Sequence, residues 1–272
     1  MFHSITQKQI ELLLRNLPHG LLISGQKGVG ASDAAQFIAS SLGVTPIIVW
    51  PEKDDVIDTE KGSITIDMIR RLYQQTRTAV PEKRIIIIEH AETMGIPAQN
   101  AFLKLLEEPS KATYFILVTH KPLLLLPTIR SRVQQLEMRP LTHTQSEQLL
   151  DEQGIKDNTT RQQILFLASG LYAEMKRMAN DNEYLKLRGE QVKRSKDLLT
   201  GATYQRLRVV QEFSNDRSAA LQLLQDCLLL LSKNTISDQE RVIKRIDTIV
   251  DVYEKVLANG NIRLQLARVC YN

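Results

Sequence analysis

Cysteine is nearly absent from this sequence, occurring only at positions 227 and 270. With no C-x-x-C pair, the chain can build neither a four-cysteine zinc site nor a disulfide framework by itself, and two buried thiols is the plain reading. The five histidines are scattered without H-x-x-x-H spacing, which gives a metal centre no support. Long apolar runs are missing as well: one of the longest, CLLLL at 227–231, falls far short of the roughly 20 residues needed to span a bilayer. The opening stretch MFHSITQKQIELLLRNLPHG breaks its apolar pattern with polar residues and carries no cleavage signature. A mature start and a cytoplasmic location are therefore expected. Strong charge is lacking too; a net +4 neither identifies nor excludes a nucleic-acid binder.

What is present falls into two classes of segment. GLLISG, PIIVW, RIIIIEHA and TYFILVTH are continuous apolar runs rich in β-branched residues, while SDAAQFIASSL and IPAQNAFLKLLEE between them have helical periodicity. Unbroken apolar runs predict strands covered on both faces, hence an α/β fold with a parallel sheet. RVQQLEM, ending before Pro140, is a weaker fifth strand. Beyond Pro140 every segment favours helix, including one long run over 172–199, and Gly201 interrupts this half. The expected domains are an α/β domain over 1–140, a small helical domain over 141–203 and a helical C-terminal domain over 204–272.

Residues 20–39, GLLISGQKGVGASDAAQFIA, have the outline of a phosphate-binding loop: strand, glycines, helix. The pattern G-x-x-x-x-G-K-[ST] fits at Gly25, Gly30 and Ser32, with Gly28 permitting the tight turn, but Ala31 stands where the lysine should be. Backbone N–H groups at a helix N-terminus still favour an anion, and Ser32 could hold Mg²⁺, yet the cation for the terminal phosphates is gone. Lys27 sits too early to replace it. The acidic element expected after a buried strand is Asp then Glu; IIIIEHAE supplies Glu89 and His90 instead. Glu89 could ligate a metal with a longer arm, whereas His90 is a weak substitute for a carboxylate base and reads as an ordinary strand-end histidine making a hydrogen bond. Thr119 could sense a terminal phosphate or simply close its strand. Arg130 and Arg132 flank Ser131 just ahead of the last strand, where an arginine is either a solvated charge or a functional one. The basic run LKLRGEQVKRSK at 185–196 is either a solvated helix face or a DNA-phosphate contact.

Taken together, LPHGLLISGQKGVGAS, GSITIDMIRRL, RIIIIEHAETM, NAFLKLLEEPS followed by LLPTIRSR, and LASGLYAEMKRM resemble the bacterial clamp-loader AAA+ family, nearest its delta-prime type, over most of residues 15–180. The resemblance implies an AAA+ P-loop domain, a small helical lid and an all-α C-terminal oligomerisation collar. It places the family's serine-arginine-cysteine motif on Ser131, Arg132 and Val133, which makes Arg132 an arginine finger acting in trans on ATP held by a neighbour. It puts Thr119 at the sensor-1 position and Ala173, three residues after Gly170, where family ATPases carry a sensor-2 arginine. The four-cysteine zinc module of many members is missing from FIASSLGVTPIIVW. Gly25, Gly28, Gly30, Ser32, Glu89 and Thr119 then form a vestigial nucleotide site, with no cofactor and no metal expected.

The function so implied is a non-catalytic subunit of the DNA polymerase III clamp loader, loading the sliding clamp onto primed DNA during replication. Its implied partners are gamma/tau and delta clamp-loader subunits, with the clamp and primer-template DNA reached through the complex. The competing reading is an enzyme, a self-sufficient AAA+ ATPase of the gamma/tau or branch-migration type; Ala31, His90 and Ala173 weigh against it. A stand-alone DNA-binding adaptor would need a concentrated basic surface that the sequence does not display.

Overall fold

A computed structural model of the chain describes residues 2–59, 61–77, 83–108, 112–233 and 239–270. Contacts divide the chain into two units, Met1–Asn180 and Asp181–Asn272.

In the first unit, α1 (Ser4–Arg15) and β1 (Gly20–Ser24) lead through the glycine-rich loop into α2 (Ala31–Ser41). Then come β2 (Ile47–Val49), a small hairpin of β3 (Glu52–Lys53) and β4 (Val56–Ile57), α3 (Ile66–Arg77), β5 (Arg84–Ile88) and α4 (Ile96–Glu107). β6 (Thr113–Thr119), α5 (Pro127–Arg130) and β7 (Gln134–Glu137) complete the sheet elements, and α6 (His143–Glu152), α7 (Asn158–Ala168) and α8 (Tyr172–Asn180) follow. Residues 42–46 alone join α2 to β2, the place where the resemblance would put a zinc module.

Five parallel strands form the main sheet in the order β2-β5-β6-β1-β7. Successive side chains of a strand point to opposite faces, so each unbroken apolar run feeds two cores. On one face Leu21, Ile23, Ile85, Ile87, Ile116 and Val118 pack with Ile10, Leu13, Ala34, Ala35 and Ile38 of α1 and α2. On the other, Leu22, Ile86, Ile88, Phe115 and Leu117 meet Ile69 and Leu72 of α3, Phe102 and Leu105 of α4, and Ile129 of α5. The expected α/β sheet with buried strands is what forms. β7 has only Leu136 buried, as suits the edge strand whose sequence signal was weakest.

The run over 172–199 is not one helix: the Asp181 side chain accepts from the Tyr184 N–H at 2.9 Å and caps a new helix, α9 (Asn182–Thr200). An acceptor at that position satisfies a backbone donor that would otherwise be lost at a helix start. By its contacts α9 lies in the second unit. There it packs with α10 (Thr203–Phe213), α11 (Arg217–Lys233), α12 (Gln239–Leu257) and α13 (Ile262–Cys270). Leu198 and Leu199 of α9 share a core with Val209, Leu223, Leu224, Cys227, Val252 and Leu266. Arg188 of α9 forks onto Asp226 of α11 at 2.8 and 3.0 Å. The leucine-rich α11 spends Leu223, Leu224, Cys227 and Leu231 inside this unit; large exposed apolar side chains lie instead on neighbouring helices, with Tyr204 and Leu207 on α10 and Leu264 on α13.

Candidate functional site

A parallel sheet delivers the carboxyl ends of its strands to one rim, and the loops there gather side chains from distant parts of the sequence. β1 ends at Ser24, in register with Thr119 at the end of β6, while β5 ends one residue before Glu89. Six of the residues singled out from sequence, Gly25, Gly28, Gly30, Ser32, Glu89 and Thr119, therefore meet at this rim.

The loop itself has the backbone that its glycines imply. Gly28 and Gly30 take φ of +85° and +94°, in the left-handed region where a Cβ is strained. Gly30 caps α2, and Asp33 lies in that helix's first turn. Ala31, where the cation should be, is 2% exposed and belongs to the core against α1 and α2. That position is thus a packing site as much as a missing charge.

Ser32 Oγ donates to Glu89 Oε2 at 2.8 Å, so the two candidate magnesium ligands hold each other. Glu89 is buried, and its Oε1 has no hydrogen-bond partner among the described residues. Burial pushes its carboxyl above the usual range; the Ser32 hydroxyl works against this, and the charges of Asp33 and Glu92 add to it. His90 adopts a left-handed φ of +50°. Burial holds its imidazole below the ordinary value, with His120 and Lys27 pushing the same way and Glu92 opposing them, so the ring is a neutral donor–acceptor rather than a cation at physiological pH. Thr119 is fully buried, and its hydroxyl oxygen accepts from the Lys121 N–H at 3.1 Å. Among the described residues no group of three or more His, Cys, Asp or Glu side chains is placed to hold a metal.

Arg132 is elsewhere. It precedes β7, which runs parallel to β1, and a Cβ on Gly20, the first residue of β1, would lie 3.6 Å from the Arg132 carbonyl oxygen. Its guanidinium therefore starts from the amino end of the sheet, one strand length of about 13 Å from the rim that carries the loop. Nη2 pairs with Glu107 Oε1 at 2.8 Å with both side chains partly exposed, and Nη1 donates to the Thr128 carbonyl at 3.1 Å. Val133 is buried, and a Cβ on Gly20 would clash with it at 2.9 Å, so the valine is an aliphatic plug against the start of β1. Pro109 and Ser110, closing the NAFLKLLEEPS motif, lie outside the described residues.

Several residues at the site were not legible beforehand. Gln99 of α4, 2% exposed, donates through Nε2 to the carbonyls of Met94 (2.9 Å) and Leu124 (3.1 Å) and accepts from the Leu126 N–H at 2.7 Å. It stitches α4 to the segment that carries α5 and Arg132. His120 Nδ1 lies 3.1 Å from the Gly25 carbonyl, which requires the hydrogen on that nitrogen. A polar residue in a helix or after a strand gives no sequence signal of such a contact. The helix start at α8 also touches the loop: the Ala173 and Glu174 N–H groups donate to the Gly28 carbonyl at 2.8 and 3.3 Å. Within the basic run, Arg188 is taken up by Asp226 and Arg194 by Glu212 and Asp197, leaving less free charge for DNA than the sequence offered.

Comparison with known proteins fits this geometry. The profile of the family described as DNA polymerase III, delta subunit, matches residues 5–142. The DNA polymerase III subunit delta' of Bacillus subtilis (strain 168) is 31% identical over 194 residues, covering 65% of this chain and 58% of that protein. The delta' subunit of Pseudomonas aeruginosa is 35% identical over 108 residues, 39% of this chain and 31% of that protein, and the tau subunit of B. subtilis 29% identical over 157 residues, 52% and 28%. The chain thus spans from somewhat over half to under a third of the length of these relatives. In fold it matches a DNA polymerase III gamma subunit-related protein from Thermotoga maritima (TM-score 0.55, 19% identity, 97% of each chain). It also matches the T. maritima RuvB Holliday junction branch migration motor (0.54, 15%, 95% of this chain and 88% of that one).

Proposed function

Since the chain belongs to the DNA polymerase III delta subunit family, as a delta-prime-like clamp-loader subunit, we propose that it completes a neighbouring subunit's ATPase site without turning over ATP itself. In this reading Arg132 is an arginine finger acting in trans, and Gly25, Gly28, Gly30, Ser32, Glu89 and Thr119 are a vestigial nucleotide site. The observation that supports it is positional: Arg132 lies at the opposite end of β1 from the chain's own loop, as a finger directed at a neighbour's phosphate requires. A planar guanidinium can grip two phosphate oxygens at once, and its one ionic partner among the described residues, Glu107, is an exposed pairing of the kind that contributes at most about 1 kcal/mol.

The remaining parts follow the same proposal. Residues 1–140 are the AAA+ base, the helices after 140 a lid, and the C-terminal helices from about 204 a collar that joins gamma/tau and delta subunits; the clamp and primer-template DNA are engaged through the complex. Tyr204, Leu207 and Leu264, exposed on the packed pair α10 and α13, are the apolar surface offered for assembly. The competing reading, a self-sufficient ATPase, draws on the Ser32–Glu89 contact, which could be split by a magnesium ion. It still lacks a cation at Ala31 and an acidic water-polarising group at His90.

The test is a reconstituted complex carrying Arg132→Ala or Arg132→Lys, with assembly read by gel filtration and DNA-stimulated ATP turnover and clamp loading read separately. Fingers across an interface contribute roughly 10³ to 10⁵ in rate in GTPases. Sites served by other fingers keep working, so ATPase should fall in part, loading should fall further and assembly should stay intact. Lysine should not rescue, because it loses the fork. Wild-type loading in both variants would refute the trans role, and turnover by the isolated wild-type chain would favour the enzyme reading.

A further inference from the structure

The glycine-rich loop is not merely short of a lysine; a helix of the same unit packs against it. The Ala173 and Glu174 N–H groups donate to the Gly28 carbonyl at 2.8 and 3.3 Å, so the first turn of α8 sits directly on the loop. A Cβ on Gly28 would meet Glu174 Cγ at 2.5 Å and Glu174 Oε1 at 3.4 Å, and one on Gly30 would meet Tyr172 Cδ1 at 2.7 Å. Glycine is therefore needed at both positions for a second reason besides positive φ: it lets α8 seat. Lys176, one turn further along α8, reaches Asp33 in the first turn of α2 at 3.4 Å and adds a tether between the same two helices.

A loop of this kind attracts anions through backbone N–H groups and the positive end of the following helix, and Glu174 brings a carboxylate to its surface. The small side chain at 173 allows the approach, because its own backbone N–H has to come within hydrogen-bond reach of Gly28. An arriving polyphosphate would meet both the occupied surface and a like charge at close range.

We propose that α8 is an intramolecular plug, with Glu174 as a resident anion beside the loop, and that polyphosphate is excluded while that carboxylate is held there. This rests on the reading above that the chain turns over no ATP, and it adds that the site is closed by its own lid and not only by loss of the loop lysine. Restoring the lysine alone should then fail to restore binding.

Four full-length proteins test it: wild type, Glu174→Ala, Ala31→Lys and Ala31→Lys/Glu174→Ala, each titrated with Mg·ATP and separately with inorganic tripolyphosphate by calorimetry. Thermal melts check folding, and Glu174→Gln, which keeps the shape and removes the charge, replaces the alanine variant if that one melts early. The plug predicts little binding in Ala31→Lys and at least tenfold tighter binding once Glu174 is also replaced, for both ligands. Equal affinity of Ala31→Lys with and without the Glu174 change overturns the plug. Hydrolysis by the wild-type chain is scored in parallel and bears on the absence of turnover alone, so the two claims fail separately.

Discussion

The ion pair between Arg188 and Asp226 offers a demanding test of how the C-terminal unit is held. Both side chains are nearly out of water, 11% and 3% exposed. They meet in a two-pronged contact at 2.8 and 3.0 Å, with Gln222 adding a third donor to the aspartate at 3.2 Å. Removing one partner of such a pair leaves an uncompensated buried charge and costs about 3–5 kcal/mol. A unit of about 90 residues has roughly 5–14 kcal/mol in total, so either single truncation should cost a large part of it and lower the melting midpoint by about 15–25 °C. Arg188→Ala should be the worse of the two. It strands Asp226 in the core, whereas in Asp226→Ala the long arginine stem can turn its head towards solvent. Replacing both at once, Arg188→Met with Asp226→Leu, should recover stability to within about 2 kcal/mol of wild type or exceed it, because a fitted apolar pair carries no desolvation cost. Calorimetry and far-ultraviolet dichroism follow the helices, while fluorescence of Trp50, the single tryptophan, follows the first unit as an internal control. Single variants that each cost less than about 1 kcal/mol, or a double variant no better than the sum of the singles, would refute the account. If the collar proposal holds, assembly should track these melts, lost with either single change and regained with the double.

Glu89→Gln tests the buried carboxyl through pH. A folded-state value raised above the usual 4.5 means that the native protein keeps its proton where the unfolded chain has lost it. Stability is then greatest below about pH 4.5 and declines as pH rises through the raised value. The glutamine variant should gain on wild type across that window, read from urea midpoints between about pH 4 and about pH 8, and a difference that does not change with pH would count against it. Gln99→Ala should cost about 2–4 kcal/mol, since it strands buried backbone partners at Met94, Leu124 and Leu126. In the reconstituted complex it should also lower clamp loading by loosening the segment that carries Arg132; an unchanged urea midpoint would show the three bonds to be dispensable.

The strands were legible in the sequence because each is a continuous run with two faces to fill; Ile85–Ile88 divides its side chains between two cores. The hairpin at 52–57 was not, since its two-residue strands bury almost nothing and their turn rests on Asp54 and Asp55 at positive φ. The break at Asp181 was hidden because helical composition continues on both sides of it, and only the capping contact separates α8 from α9. Of the site, the glycines, Ser32, Glu89 and Thr119 could be read from local patterns. Gln99, His120 and Glu174 could not, because each acts on a backbone or loop distant in sequence, and a lone polar side chain carries no mark of its eventual partner.

The strand order has a further consequence, for the chain as it is made. β1 emerges ahead of the other strands of its sheet, yet its neighbours on either side are β6 and β7, the later of which ends at Glu137. At roughly 5–20 residues per second, the centre of the sheet waits on the order of ten seconds for its flanks, with Leu21, Leu22 and Ile23 exposed and both hydrogen-bonding edges open. Such non-local pairing slows folding and exposes the chain to aggregation. α1 and α2 are the first helices at hand, and they cover one face of β1, so the nascent glycine loop is first shaped by its own helix and only later by the rim it will share.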